Sequence, residues 1–382
     1  MAGPAVRTRL LNDYFLNEHA FYPEKYAGGN IIYRRVTLQD AIERVVVKHI
    51  KTAGFRWRDE EIGLEEDILR KLWGSEHIIR LLSVVHDQLH RGSKWSEPRK
   101  RALQNPPPIL PWKLRFDPND YVGDGIDLGF PFFVMEYLPR GDGFQLIRRC
   151  RANNIERISE QVLLSFFLCL TRGCIGIAYP PNVGNRKPAA VVREKYPVRT
   201  KRKHSKIAHN DLHLGNIMFG DYDDNIRNNQ PRCHEATPII DFGIAEAGDS
   251  AHNAESRNIF QAAELIHQLA RLQRDPIVDS YRRDRNVARN ITGFADFDTF
   301  ASQDFIRDQS YSREFRDLVC LCMAVEPENR LRLQPLLRRC EHHLRPIEDW
   351  VELADEVTMI FDVVPDGYVD IDSDRDSDDS ED

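Results

Sequence analysis

Strand-like and helix-like patterns divide this chain unevenly. In the first third, residues 30–36 (Asn-Ile-Ile-Tyr-Arg-Arg-Val) and 41–50, centred on Val45-Val46-Val47, read as two strands joined by a polar turn. A helix follows. Asp59, Glu60 and Glu61 stand at its start, where negative charge suits the helix dipole, and Leu64, Ile68 and Leu72 recur on one face. Runs at 77–85 and 132–138 are again strand-like. Between them, residues 91–127 are polar and broken by Pro106-Pro107-Pro108, which predicts a loop insertion. Beyond Leu138 the pattern turns helical, over 159–177, 258–272, 315–325 and 335–344, with Pro335 placed to open the last helix. Residues 180–206 form a second insertion, rich in Arg199, Lys201, Arg202 and Lys203. No internal repeat is visible. Strands first and helices afterwards predict an α+β chain with two parts of different class.

Composition adds limits. The 382 residues suffice for one large domain or two small ones, and 41% apolar with 30% charged is ordinary for a globular chain. A net charge of -7 argues against nucleic acid as a partner. Part of that charge sits in residues 366–382, an Asp/Ser/Glu tail expected to be disordered because it has little apolar surface to bury. The cysteines (Cys150, Cys169, Cys174, Cys233, Cys320, Cys322, Cys340) are odd in number and show no zinc spacing, so reduced thiols are expected. The first residues lack the apolar core of a signal peptide, and the apolar run 162–170 is well short of the roughly 20 residues of a membrane span. A soluble protein of the cytoplasm, the nucleus or both is the expectation, with no membrane partner.

Three stretches carry candidate chemistry. Residues 207–218 (Ile-Ala-His-Asn-Asp-Leu-His-Leu-Gly-Asn-Ile-Met) hold His209, Asp211 and Asn216 as H-x-D-x-x-x-x-N. Residues 238–243 are an apolar strand ending in Asp241-Phe242-Gly243, and Val45-Val46-Val47-Lys48 precedes an acid-bearing helix. Taken singly, Lys48 could be an edge-strand charge, Glu65 a solvated helix residue, and Asp211 with Asn216 a capped turn. Their occurrence in one order, over about residues 28–344, resembles the protein-kinase superfamily.

That resemblance implies a bilobal α+β fold spanning 12–350, with a small antiparallel sheet lobe over about 12–137 and a mainly helical lobe over about 138–350. It implies ATP and Mg²⁺ as cofactors and transfer of the γ-phosphate to a Ser or Thr hydroxyl of a protein substrate. Lys48 would contact the phosphates and Glu65 would hold Lys48. Asp211 would be the catalytic base, while Asn216 and Asp241 would hold the metal. Val46 and Met218 would enclose the adenine. Met135 would limit the deeper pocket, and Glu136 and Leu138 would form the hinge beside the base. Gly28 and Gly29 stand where the family has a phosphate-covering loop, without its G-x-G-x-x-G spacing, so a plain turn remains open there.

Other departures bear on the acceptor. Asn210 replaces the arginine that in many protein kinases binds a phosphorylated activation loop, and no A-P-E motif follows Gly243. Arg330 looks like the family's late arginine, but no acidic partner is evident. Asn258, read as opening its helix, stands where the family usually has Asp. His213 occupies the position usually held by Lys in Ser/Thr kinases, and the D-L-H-x-G-N wording is also similar to small-molecule phosphotransferases. A small-molecule acceptor, or a pseudokinase that only binds partners, are the alternatives. Oligomeric state is not readable from the sequence.

Overall fold

The computed structural model describes residues 20–27, 30–36, 42–49, 56–84, 132–138, 140–181, 192–197, 202–220, 238–247, 250–272, 285–289, 291, 293–344 and 360–361. The chain is a mixed α+β protein with a small antiparallel sheet. Two compact units divide it: one takes residues from Met1–Leu138, Ile175–Asp211 and Ile240–Gly248, the other from Pro139–Cys174, Leu212–Ile239 and Asp249–Asp382. Gly28, Gly29, the insertion 91–127 and the tail 366–382 lie outside the described residues.

The first unit is built on a five-stranded sheet of β1 (Ala20–Ala27), β2 (Asn30–Val36), β3 (Ile42–His49), β4 (Leu81–Val84) and β5 (Phe132–Glu136). Its order is β1-β2-β3-β5-β4, with every neighbouring pair antiparallel. β1 was not anticipated from the pattern. It carries Pro23 next to a register shift on an edge strand, one of the few places a ladder tolerates a residue without an N–H. β2 and β3 fall where the alternation put them. β4 is shorter than the run 77–85, because residues 72–80 are spent on turns and isolated bridges.

Helix α1 (Arg56–Lys71) starts a turn earlier than its acidic cluster suggested. Its apolar face is buried through Ile68, Leu69 and Leu72, while Leu64 is 40% exposed. The buried face therefore runs closer to Glu65 than to Leu64. Gly74, at φ 93°, follows its end in the left-handed region that glycine enters without a Cβ penalty.

Part of the basic insertion is docked on the turn after α1. The Val192 N–H donates to the Gly74 carbonyl at 2.7 Å, and the Glu76 N–H to the Val192 carbonyl at 3.3 Å. Gly176 makes room for this approach. A Cβ there would stand 3.0 Å from Ser75 Oγ and 3.3 Å from Glu194 Oε1. Ser75 can rotate its hydroxyl, but Glu194 is pinned by His77, so the added methyl has little room to gain. Gly176→Ala is expected to lower stability by about 1–2 kcal/mol, the crowding outweighing the better helix propensity. Thermal melting checks it; an unchanged or higher midpoint would refute it.

The second unit is mainly helical: α2 (Gly143–Ala152), most of α3 (Glu160–Ala178), α4 (Ala251–Ala270), α5 (Gln303–Arg307), α6 (Arg313–Cys322) and α7 (Leu333–Leu344). A two-stranded ladder of Asn286–Ala288 with Phe297–Thr299 accompanies them. Serine caps set several starts. Ser250, Ser302 and Ser312 accept from the N–H groups of Asn253, Phe305 and Phe315. Ser250 moves the start of α4 from Asn258 to Ala251, so Asn258 is a buried interior residue and not the opening one. Pro335 is the third residue of α7 rather than its first; its missing N–H still falls among those that have no intrahelical partner. α3 is long and apolar enough to cross a membrane by length and composition, but 94% of that window is buried inside the protein, as in a core helix. The six described cysteines are buried, and burial pushes the Cys174 and Cys320 thiols up to about 12.

Candidate active site

The first unit brings Lys48, Glu65 and Asp241 together. Pairing of β3 with β5 places Lys48 opposite Phe133 and Val46 opposite Met135, so period-2 geometry puts Lys48 and Val46 on one face. Lys48 Nζ lies 2.7–2.9 Å from the two carboxylate oxygens of Glu65 and 2.8 Å from Asp241 Oδ1. Glu65 also accepts from the Phe242 N–H at 3.4 Å. One acid on α1 and one at the end of the 238–241 segment thus converge on a single ammonium.

Burial sets the electrostatics. Desolvation opposes the charge on Lys48, but Glu65 and Asp241 outweigh it and hold its pKa above the ordinary value. Glu65, 1% exposed, is pushed up by burial despite Lys48, and Asp241 adds like-charge repulsion in the same direction. Burial also opposes ionisation of Asp241, yet Lys48, together with the Gly243 N–H, keeps its carboxyl below the usual range. Asp241 is therefore the firmly ionised acid of the pair, and with a side chain 42% exposed it is the accessible one.

The local backbone is specific. Asp241 sits at φ 60° and Asn210 at φ 66°, a region that Asn and Asp tolerate better than most residues. Asn210 Nδ2 donates to the Ile244 carbonyl at 3.3 Å, so this residue fastens the segment after Gly243 directly. Strand β6 (Ile207–Ala208) pairs with β7 (Glu246–Ala247), fastening the same segment by backbone. His209, fully buried, accepts the Asp211 N–H on Nδ1 at 3.3 Å and places Nε2 2.9 Å from the Ile240 carbonyl. An Nδ1 that accepts requires the proton on Nε2, which donates to Ile240. His209 joins the Asp211 loop to the segment leading into Asp241, which is no strand as its apolar run suggested but an extended stretch with one isolated bridge, Ile239 to Ile217.

Asn216 and Met218 belong to the second unit. Asn216 ends the 3₁₀ turn Leu214–Asn216 and is buried, its N–H donating to the His213 carbonyl at 2.8 Å. His213 caps that turn, its Nδ1 accepting the Gly215 N–H at 3.0 Å. Met218 is held on both sides, by a bridge to Asp142 and by its N–H to the Pro238 carbonyl. Met135, the pocket-limiting candidate, and Leu138, one of the two hinge candidates, are buried. The Glu136 N–H donates to the Arg80 carbonyl at 3.1 Å and its carboxylate pairs with Arg80, so that N–H is already engaged within the sheet.

The acid–arginine pair sought around Arg330 involves the neighbouring basic residue. Arg330 donates to the carbonyls of Ala324, Val325 and Ser256 and lies 4.6 Å over the Phe260 ring. Arg332 grips Glu255 with Nε at 2.7 Å and Nη2 at 3.2 Å, and the Leu333 N–H adds a third bond to the same carboxylate. Glu255 is 2% exposed, whereas Arg332 is half exposed. Arg332→Ala should therefore cost about 1–3 kcal/mol by leaving a buried acid without its cation. The double variant Glu255→Leu with Arg332→Leu should cost less in urea unfolding; a larger loss would contradict the burial argument.

Each unit carries a hard oxygen donor of the kind that suits magnesium, Asp241 in the first and Asn216 in the second. Glu76, His77 and Glu194 also place donor atoms within 4.8 Å of one another, but Arg193 already neutralises Glu76, and both Glu194 oxygens accept from His77. No protein-family model and no curated protein matches this chain.

Proposed function

We propose that this protein is an ATP-dependent phosphotransferase of the protein-kinase type, passing the γ-phosphate to a hydroxyl, in the first instance a Ser or Thr of a protein. The observation that carries the reading is the convergence of Lys48, Glu65 and Asp241, each from a motif that the sequence places in the family's order. Bound ATP with Mg²⁺ would supply the transferable phosphoryl group and the cation that screens it. Asp241 and Asn216 would hold the metal, and Asp241 suits the task because its carboxylate stays ionised and accessible. Lys48, held by Glu65, would offer its remaining donors to phosphate. Asp211 would take or orient the acceptor's proton. Val46, Met135, Leu138 and Met218 would provide the apolar surface for the base.

A second reading, a small-molecule hydroxyl as acceptor, is favoured by the early start of α4. Only residues 244–250 separate Gly243 from that helix, leaving a short segment on which to lay a peptide. The test is phosphate incorporation from ATP and Mg²⁺ by the purified chain, offered protein and small alcohols in parallel. Transfer to protein supports the first reading and transfer only to small alcohols the second. Absence of both nucleotide binding and transfer removes the phosphotransferase reading.

A further inference from the structure

We infer that Val192–Glu194 braces the end of α1 and makes Glu194 a positioning residue for the Lys48–Glu65 pair. The consequence for turnover rests on the phosphotransferase reading; the brace itself does not.

The contact is unusually complete for a segment embedded in a basic, proline-flanked insertion. Val192 exchanges backbone hydrogen bonds with Gly74 and Glu76, so the chain is laid alongside the turn that ends α1. Arg193 holds Glu76 with two bonds, Nε–Oε2 at 2.9 Å and Nη2–Oε1 at 3.4 Å. Glu194 turns inward, and both of its oxygens serve one residue. Oε1 accepts the His77 backbone N–H at 2.9 Å and Oε2 meets His77 Nδ1 at 2.6 Å. The side chains of His77 and Glu194 are 1% and 3% exposed. A buried carboxylate is tolerated only where its oxygens are satisfied, so the segment has little freedom to leave without exposing or orphaning that charge.

What the brace holds is the register of a stiff rod. Glu65 lies about 9 Å along the helix from Lys71, at the usual rise of 1.5 Å per residue. Between the two, Ile68 and Leu69 are buried, and Leu72 just beyond continues the same face. α1 is thus fixed at one point by Lys48 and the Phe242 N–H, and at another by Glu194 through the turn after its end. A loosened end lets the rod roll or slide, and Glu65 moves away from Lys48.

The experiment uses the full chain without nucleotide and reads two local signals. One is amide hydrogen exchange across Arg56–Trp73. The other is the rate at which an amine-acylating reagent labels Lys48, since an ammonium held by acids gives up its proton reluctantly. Glu194→Ala is expected to speed α1 exchange about tenfold and Lys48 labelling several-fold, with exchange in α6 unchanged. Because that variant could fold poorly, Glu76→Arg and Arg193→Glu are made singly and together. Each single reversal should show the same changes, and the double should restore wild-type rates. In transfer assays Glu194→Ala should lower kcat by about tenfold with a smaller change in KM for ATP. Wild-type exchange and labelling in Glu194→Ala, or loss of protection spread equally over α6, would overturn the brace. Should exchange and labelling respond as expected in a chain that transfers no phosphate, the brace stands and the phosphotransferase reading falls.

Discussion

Asp211→Asn is expected to lower phosphate transfer by about a thousandfold while leaving the thermal midpoint unmoved. The substitution is isosteric and removes only the ability to accept a proton. It leaves the backbone contact that orients the loop, because the Asp211 N–H reaches His209 Nδ1 whatever the side chain carries. His209→Ala is the instructive contrast. It deletes a fully buried ring that packs 4.7 Å from Phe242 and bonds the Ile240 carbonyl, so activity and midpoint should fall together. Transfer rate and melting measured on both variants separate the roles. An Asp211→Asn protein that keeps a tenth or more of wild-type transfer would show that another group handles the proton.

Much of this site could be read from the chain because its residues sit on elements with strong local periods. The valine run fixes β3, and period 2 then places Lys48 beside Val46 on one face. On α1, the resemblance gives Glu65 as the partner of Lys48, and it pairs with Lys48, while its neighbour Glu66 bonds Arg70 within the helix. What escaped notice depended on non-local or weakly patterned contacts. β1 has the strand-favouring Phe21, Tyr22 and Tyr26, but proline, glutamate and lysine interrupt them, so its own composition is ambiguous and its pairing with β2 decides. α4 opens with Ala-His-Asn-Ala-Glu-Ser-Arg, too polar for a periodic signal, and only the Ser250 cap marks its start. α2 escaped for a similar reason, its arginines masking Leu146, Ile147 and Cys150, which are buried. The brace joins His77 to Glu194 across more than a hundred residues, and no spacing rule connects them. Composition described that stretch as a basic loop; its one inward acid could be recognised only from what it meets.

Lys48→Met is expected to cut turnover by about a hundredfold or more, and the pH response should identify Glu65 as the reason. In the wild type the two acids share one ammonium. Glu65 holds Lys48 from the other side, so that on the proposed reading Lys48 would stay in place when Asp241 takes a cation. Lowering the pH through the raised pKa of Glu65, above its ordinary 4.5, neutralises Glu65 first, because Asp241 is held below its ordinary 3.8. Lys48 is then left with Asp241 as its remaining charged partner of the two, and activity should fall. The stability contribution has the opposite sign. Between 4.5 and the folded-state value of Glu65, the folded chain binds a proton that the unfolded chain does not, so this group makes the protein more stable as the pH falls. Only at lower pH, as Asp241 takes up its proton, is the stability from its pairing with Lys48 lost. Activity and stability should therefore diverge on mild acidification. Glu65→Gln supplies the control: the neutral amide should remove this stability gain and start from already reduced turnover, with a flattened acid limb. An acid limb unchanged in Glu65→Gln would show that a different group governs it. In Lys48→Met the buried Glu65 loses its main counter-charge and its carboxyl rises further. That variant should be relieved by acid, its melting temperature gaining on the wild type as the pH is lowered toward 5, even though no pH restores its transfer.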